Sequence, residues 1–409
     1  MFTASKPMFL YLKAALLLFF LSAFYGWLMR LNALVDIPYF SYAKVLQAHS
    51  HVTFLGWGYV TVTVLFNYNF LPKTIAFSKK YKAVFTVQLV SITLMLLSFP
   101  LQGYKVFSIV LLSVFALSSY VYFYFFYKDY KQHKAIRVVD LFIKTSIFYY
   151  LLAMCAIWAV GIIIATQGKG ELYHNTIYFY LHFLYNGFFI FALLGLFFQY
   201  LKQHKNIVFP NKANQFFWLL NLACIPSYLL SLVKMDTLWI TSVGFVAASL
   251  QVFALFYFIQ ILQEIKSVFK GWTKNLLLVV LVSFSLKISL QFGSAFPFVS
   301  HKLPQLKSYF VIGYIHLVTL GIISTMLLVF LVLYNFLNLK KTSVQLFLLG
   351  IISTEILFFL QGFLLEFFQY MIPHYSLILF GFSTILLTGI LLLFLNFIKR
   401  KKTAIAERQ

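Results

Sequence analysis

The sequence predicts an all-helical bundle of about twelve transmembrane helices. Three observations predict it. Of 409 residues, 62% are hydrophobic and only 10% charged, with a mean hydropathy of +0.90, whereas a soluble domain carries about 25% charged residues. The apolar residues fall into runs near or above the roughly 20 residues that one helix needs to cross the hydrocarbon core. Lysine and arginine are distributed unequally between alternate loops, as the positive-inside rule requires of a polytopic chain.

The expected spans run near residues 8–30, 44–71, 82–101, 106–127, 141–166, 173–201, 214–233, 237–262, 275–297, 308–336, 342–365 and 375–398. The first run is too long for a signal peptide and has no small-residue cleavage site, so it is expected to stay as a span. Most of the nine prolines flank the spans, as helix ends predict. Pro226 lies inside the seventh and is expected to kink it. Every loop is short, and no internal repeat, low-complexity stretch or soluble domain is evident, so residues 1–409 read as a single transmembrane domain. Only helices or closed barrels satisfy their backbone groups in lipid. Cys155 and Cys224 lie in different spans without a CxxC spacing and imply neither a disulfide framework nor a zinc site.

One set of loops, together with both termini, holds 22 Lys and Arg residues, from Lys6 through Lys73, Lys128, Lys202, Lys266 and Lys340 to Arg408. The opposite loops hold 7, including Arg30, Lys169 and Lys302, and three cations (Lys13, Lys144, Lys287) lie within spans. This places both termini in the cytoplasm of a bacterial inner-membrane protein. The net charge of +23 comes from these loops rather than from a basic domain, which excludes a nucleic-acid partner. The tail Lys399-Arg400-Lys401-Lys402 reads as a topology anchor against anionic lipid.

On this topology seven of the nine histidines fall on the non-cytoplasmic side. His51, His182 and His316 each lie a few turns into an even-numbered span that enters from that side, roughly 10–15 Å below the surface. Histidine within a bilayer is costly and marks function by default, and neutral imidazole is a common ligand of metals and haem. His49 and His51 point about 160° apart on a regular helix, so one faces the interior and the other bonds a neighbour. On the sixth span His174, His182 and Asn186 share a face, with His174 near the interface. Gly56, Gly58, Gly187 and Gly321 beside these histidines permit close approach of a helix or a cofactor.

Histidines on spans two, six and ten of twelve, in the phrases His49-Ser50-His51-Val52-Thr53-Phe54-Leu55-Gly56-Trp57 and Gly313-Tyr314-Ile315-His316-Leu317-Val318-Thr319-Leu320-Gly321, resemble catalytic subunit I of the haem-copper oxidase and nitric oxide reductase superfamily, in an uncharacterised oxidase-like branch. The resemblance implies a low-spin b-type haem held by His316 with His49 or His51. It also implies a relic of a second metal site, copper or iron, at His182, with His174 as a further candidate. Tyr314 stands where the high-spin haem ligand would be, and the seventh span, with Asn221, Cys224 and Pro226, has no histidine. The oxygen-reducing set is therefore incomplete. What the resemblance implies is electron transfer or binding of a diatomic gas, with a redox partner protein or quinol as donor.

Two further ionisable residues fall at mid-span: Lys287 on the ninth, within the stripe Ser283-Lys287-Gln291, and Glu355 on the eleventh. Their matched depth predicts an ion pair, either a register device or a proton path. The latter supports an alternative reading, a proton-coupled secondary transporter, although repeat halves and paired broken spans are not evident. A non-catalytic assembly subunit is the remaining alternative.

Overall fold

Twelve helical segments appear in a computed structural model of the chain, which describes residues 6–133, 135–232, 238–296 and 303–406. They are α1 (Lys6–Asn32), α2 (42–70), α3 (Lys79–Gln102), α4 (Val106–Tyr130), α5 (Arg137–Gln167), α6 (Glu171–Lys205), α7 (Pro210–Cys224), α8 (Leu238–Glu264), α9 (Gly271–Ser294), α10 (303–333), α11 (Lys341–Phe368) and α12 (Tyr375–Ala406). Each corresponds to one expected span. Ten of the helices are long and apolar enough to cross a membrane. Of the other two, α7 is only 15 residues long and α2 is less apolar along its length. Pro226 does more than kink the seventh span: α7 stops at Cys224 and the chain continues as a 3₁₀ turn, Pro226–Ser231, because proline lacks the amide and clashes with the preceding turn. The expected span ends at 233, 237 and 297, and the loop cations Lys134, Lys234, Lys302 and Arg408, lie outside the described residues.

The chain groups into two compact units, residues 1–133 with 327–409, and residues 134–326. The division falls inside α10, a continuous helix. Helix ends in both follow local chemistry. Gly103 and Gly168 adopt φ of 67° and 73° just after α3 and α5, a conformation that costs glycine nothing.

In the first unit α1 packs on α2 and α12, α2 on α3, α3 on α4, and α11 on α12. Aromatic rings fill its core: Trp57 stacks on Phe19 at 4.8 Å and Tyr59 packs edge-on against Phe115 at 5.3 Å. Burying such rings gains little from lipid displacement, so the helices are also tied by polar bonds across their faces. Tyr122 donates to Thr63 O (2.9 Å) and Asn67 Oδ1 (3.0 Å), Gln88 to Tyr59 Oη (3.1 Å), and Trp27 Nε1 to Thr384 Oγ1 (2.8 Å). At one end of α3 and α4, Asp129 accepts from Lys80 (2.7 Å) and Tyr81 (2.8 Å).

In the second unit α5 packs on α6 and α7, α8 on α7 and α9, and α9 on α10. The core is a phenylalanine cluster in which Phe142 meets Phe217 at 5.0 Å and Phe216 meets Phe258 at 5.0 Å. Tyr149 of α5 donates to Asn221 Oδ1 of α7 at 2.7 Å.

Three helices share one departure from regular geometry. Val52–Tyr59 in α2, Phe183–Phe189 in α6 and Leu317–Ser324 in α10 are π-helical. Each π stretch begins at the residue after a histidine: His51, His182 and His316 respectively. Such i→i+5 stretches are rare and recur at functional sites.

Candidate functional site

The π stretches place a glycine five residues beyond each histidine: Gly56, Gly187 and Gly321. In an i→i+5 ladder starting there, the histidine carbonyl pairs with that glycine amide. The same three glycines admit the preceding helix. A Cβ at position 56 would lie 3.1 Å from Leu18 of α1, at 187 only 2.6 Å from Tyr149 of α5, and at 321 only 2.5 Å from Ser283 of α9. Between helix and cofactor, the two uses the sequence left open for these glycines, the contacts are with helices. His-x4-Gly on spans two, six and ten is thus a recurring local motif that inspection for whole repeats does not find.

The imidazoles divide by what their two nitrogens meet. A backbone carbonyl only accepts, so a ring nitrogen bonded to one carries the proton and leaves the other nitrogen with the lone pair. His49 Nδ1 lies 2.7 Å from Ser22 O, with Ser22 Oγ donating to His49 O at 3.0 Å. Gly26 of α1 lets the ring in, since a Cβ there would be 3.0 Å from His49 Cε1. His316 Nδ1 lies 3.0 Å from Ile312 O. Both rings are therefore oriented through Nδ1, the way a metal-ligating histidine is commonly held.

His51 is held differently. Its Nδ1 donates to Gln47 O (2.8 Å), its Nε2 accepts from the Tyr104 hydroxyl (3.2 Å), and its ring stacks on Phe99 at 4.8 Å. Protein partners occupy both nitrogens. Of the two histidines on α2 that the sequence left open, His49 has the ligand-like geometry although His51 is the deeper.

His182 is likewise committed. Completely buried, it donates from Nε2 to Cys224 O at 2.8 Å and meets Asn186 Nδ2 through Nδ1 at 3.3 Å. The carbonyl lacks its helical amide because α7 ends there: Tyr228 N, four residues on, bonds Ile225 O in the 3₁₀ turn instead, and Ser227 Oγ donates to Cys224 O at 3.0 Å. His174 is exposed and packs against Tyr173 at 5.2 Å. Among the described residues no group of three His, Cys, Asp or Glu side chains is placed to hold a metal ion. A second metal at His182 and His174 does not fit this donor set. Tyr314, two residues before His316, packs its ring 6.1 Å from Tyr185, and its hydroxyl faces Asn186 without a well-formed hydrogen bond.

The mid-span charges lie in different units, Lys287 in the second and Glu355 in the first. Lys287 is 3% exposed and donates from Nζ to Gln251 Oε1 of α8 at 2.8 Å. Glu355 is 7% exposed, and neither carboxyl oxygen has a hydrogen-bond partner among the described residues. Equal depth in sequence does not fix which face of a helix a side chain leaves, and Lys287 meets Gln251 within its own unit. Since removing the charge of Glu355 strands no described cation, Glu355→Gln is expected to change stability by no more than about 1 kcal/mol. A thermal melt of the purified variant checks this; a loss near 3–5 kcal/mol is what breaking a buried pair costs and would restore one.

Arg30, near the end of α1, lies over the Phe358 ring at 5.2 Å. It has no acidic partner among the described residues and is close enough for its charge to act on His49. Sequence reasoning counted it only as a loop cation; its position late in an apolar span, one residue before Leu31, was the available signal.

No family model matches the chain, and no curated protein matches it. Among solved structures, a haem-copper terminal oxidase determined by cryo-EM as a dimer matches 97% of this chain and 84% of its own, with a TM-score of 0.70 and 13% sequence identity. The chain therefore is a multi-pass helical membrane protein with an oxidase-like fold.

Among the described residues, His49 and His316 are histidines whose Nδ1 anchoring would suit a metal or cofactor ligand.

Proposed function

We propose that this chain is a haem-binding membrane protein of the respiratory or nitric-oxide-handling type, with His49 and His316 as candidate axial ligands of low-spin b-type haem. The proposal is supported by the anchoring of these two rings through Nδ1 to a backbone carbonyl; His51 is anchored in the same way but gives its Nε2 to the Tyr104 hydroxyl. A haem held by two histidines supplies one-electron transfer and is coordinatively closed. Electron transfer to or from a redox protein or quinol is therefore favoured over gas binding, which needs an open axial position. Ser22 and Ile312 orient the imidazoles and raise their basicity, while Arg30 offsets carboxylate charge. His51 and His182, satisfied within the protein, hold their π stretches in place. No oxygen-reducing centre is assigned.

Haem content tests this directly. Protein purified from a host that makes haem is expected to yield about one b-type haem per chain as the pyridine haemochrome; protein that stays colourless when expressed with excess haem would refute the assignment.

We also propose a bacterial inner-membrane location with both termini cytoplasmic, supported by the loop charges. In a protein lacking Cys155 and Cys224, cysteines placed at Lys402 and Lys169 are expected to be labelled by an impermeant maleimide from opposite sides. Labelling of both from one side would reverse the topology.

A further inference from the structure

We propose that Lys287 and Gln251 form a binding site for a small monovalent anion of the halide class inside the second unit. It lies on α8 and α9 and is independent of the haem assignment.

The first observation is an uncompensated cation. Lys287 is buried to 97% of its surface, as its 3% exposure gives, and its only hydrogen bond is to the neutral amide of Gln251. No carboxylate lies within 4 Å of it among the described residues, where the ion pairs are Lys80–Asp129, Lys144–Asp140 and Lys212–Glu264. The Phe284 ring at 5.9 Å offers only a weak cation–π contact. A buried ammonium without a counter-charge is among the costlier arrangements in a membrane protein.

The second observation is a donor with nothing to donate to. Gln251 is 2% exposed, and its Nε2 is buried without an acceptor. That nitrogen is fixed about 2.3 Å from the Oε1 that Lys287 occupies, by the geometry of the amide. Two unsatisfied sets of N–H donors, one of them charged, therefore lie within bridging distance of a single acceptor. Buried polar groups are almost always paired, so such orphans call for a ligand or water. Water would satisfy the hydrogen bonds but not the charge; a small anion satisfies both. The orphan Gln291 Oε1, one turn along α9, is an acceptor and takes water rather than the anion. His182 and Cys224, near enough to feel the Lys287 charge, are neutral neighbours and leave the site's net charge positive.

Halide titration of the purified full chain in detergent tests the site, with gluconate replacing chloride at constant ionic strength. Raising chloride to about a hundred times its dissociation constant is expected to raise the melting temperature by about 5 °C. Bromide should substitute, giving an anomalous scattering peak beside Lys287 Nζ. Lys287→Met, which removes the charge, should fold and melt independently of halide. Gln251→Glu, which supplies the anion covalently, should match the halide-loaded wild type and lose the halide response. A wild-type melting temperature indifferent to halide would overturn the site. So would a response that survives in Lys287→Met.

Discussion

Leucine at position 350 or 389 should leave no folded protein to purify. These glycines lie where α11 and α12 cross backbone to backbone. A Cβ at 350 would sit 2.5 Å from Leu386 Cα, and one at 389 would sit 2.5 Å from Phe347 N. Carbon atoms prefer about 3.5–4.0 Å, and main-chain atoms inside a helix cannot rotate aside as a side chain does. The two helices would have to separate by an ångström or more. That would also break the 2.9 Å bond from Asn396 Nδ2 to Ser343 Oγ. A cost above about 4 kcal/mol is expected, in the range reserved for gross overpacking. Gly381, on the same α12, is the control, since a Cβ there meets nothing within 4 Å. Gly381→Leu should be recovered in wild-type yield as a monodisperse peak in detergent. Equal recovery of Gly350→Leu would mean that the helices do not cross so closely.

His316→Ala and His49→Ala should each abolish a low-spin haem spectrum, whereas His51→Ala should retain it. His51 gives its nitrogens to Gln47 O and Tyr104 Oη; its loss strands a hydroxyl and removes a ring from Phe99. About 1–3 kcal/mol of stability is expected to go with it, without loss of an axial ligand. His49 lost to alanine removes a Lewis base. The contrast between two histidines separated by one residue guards against a general folding defect, which would remove the spectrum from all three variants. Loss with His51→Ala and retention with His49→Ala would exchange their roles.

Much of the fold was legible in the sequence because transmembrane helices announce themselves by length and hydropathy. Each expected span has a helix in its place, most with ends shifted by a few residues; the seventh ends at Cys224 rather than 233, because Pro226, expected to kink it, stops it. Face and register were less legible. The partner of Lys287, Gln251 of its own unit, was not legible, since hydropathy contains no term for rotation about a helix axis. Such rotation also separates His49 from His51. Their opposed directions followed from 100° per residue, but what each ring meets depended on Ser22 of α1, Gln47 of α2 and Tyr104 in the α3–α4 loop. The π stretches were hidden for another reason. Their hydrogen-bond pattern leaves the apolar composition unchanged, and only the recurring five-residue interval from histidine to glycine marks them. The second-metal reading of His182 rested on the resemblance and gave no weight to the Cys224 carbonyl that the end of α7 leaves for its Nε2.

An optical spectrum of the dithionite-reduced protein, recorded before and after carbon monoxide, tests most directly whether one closed bis-histidine haem is present without a reactive second centre. A sharp α-band and Soret band that carbon monoxide leaves unchanged are the predicted result. Absence of both bands, or a Soret band that shifts on adding the gas, would contradict it.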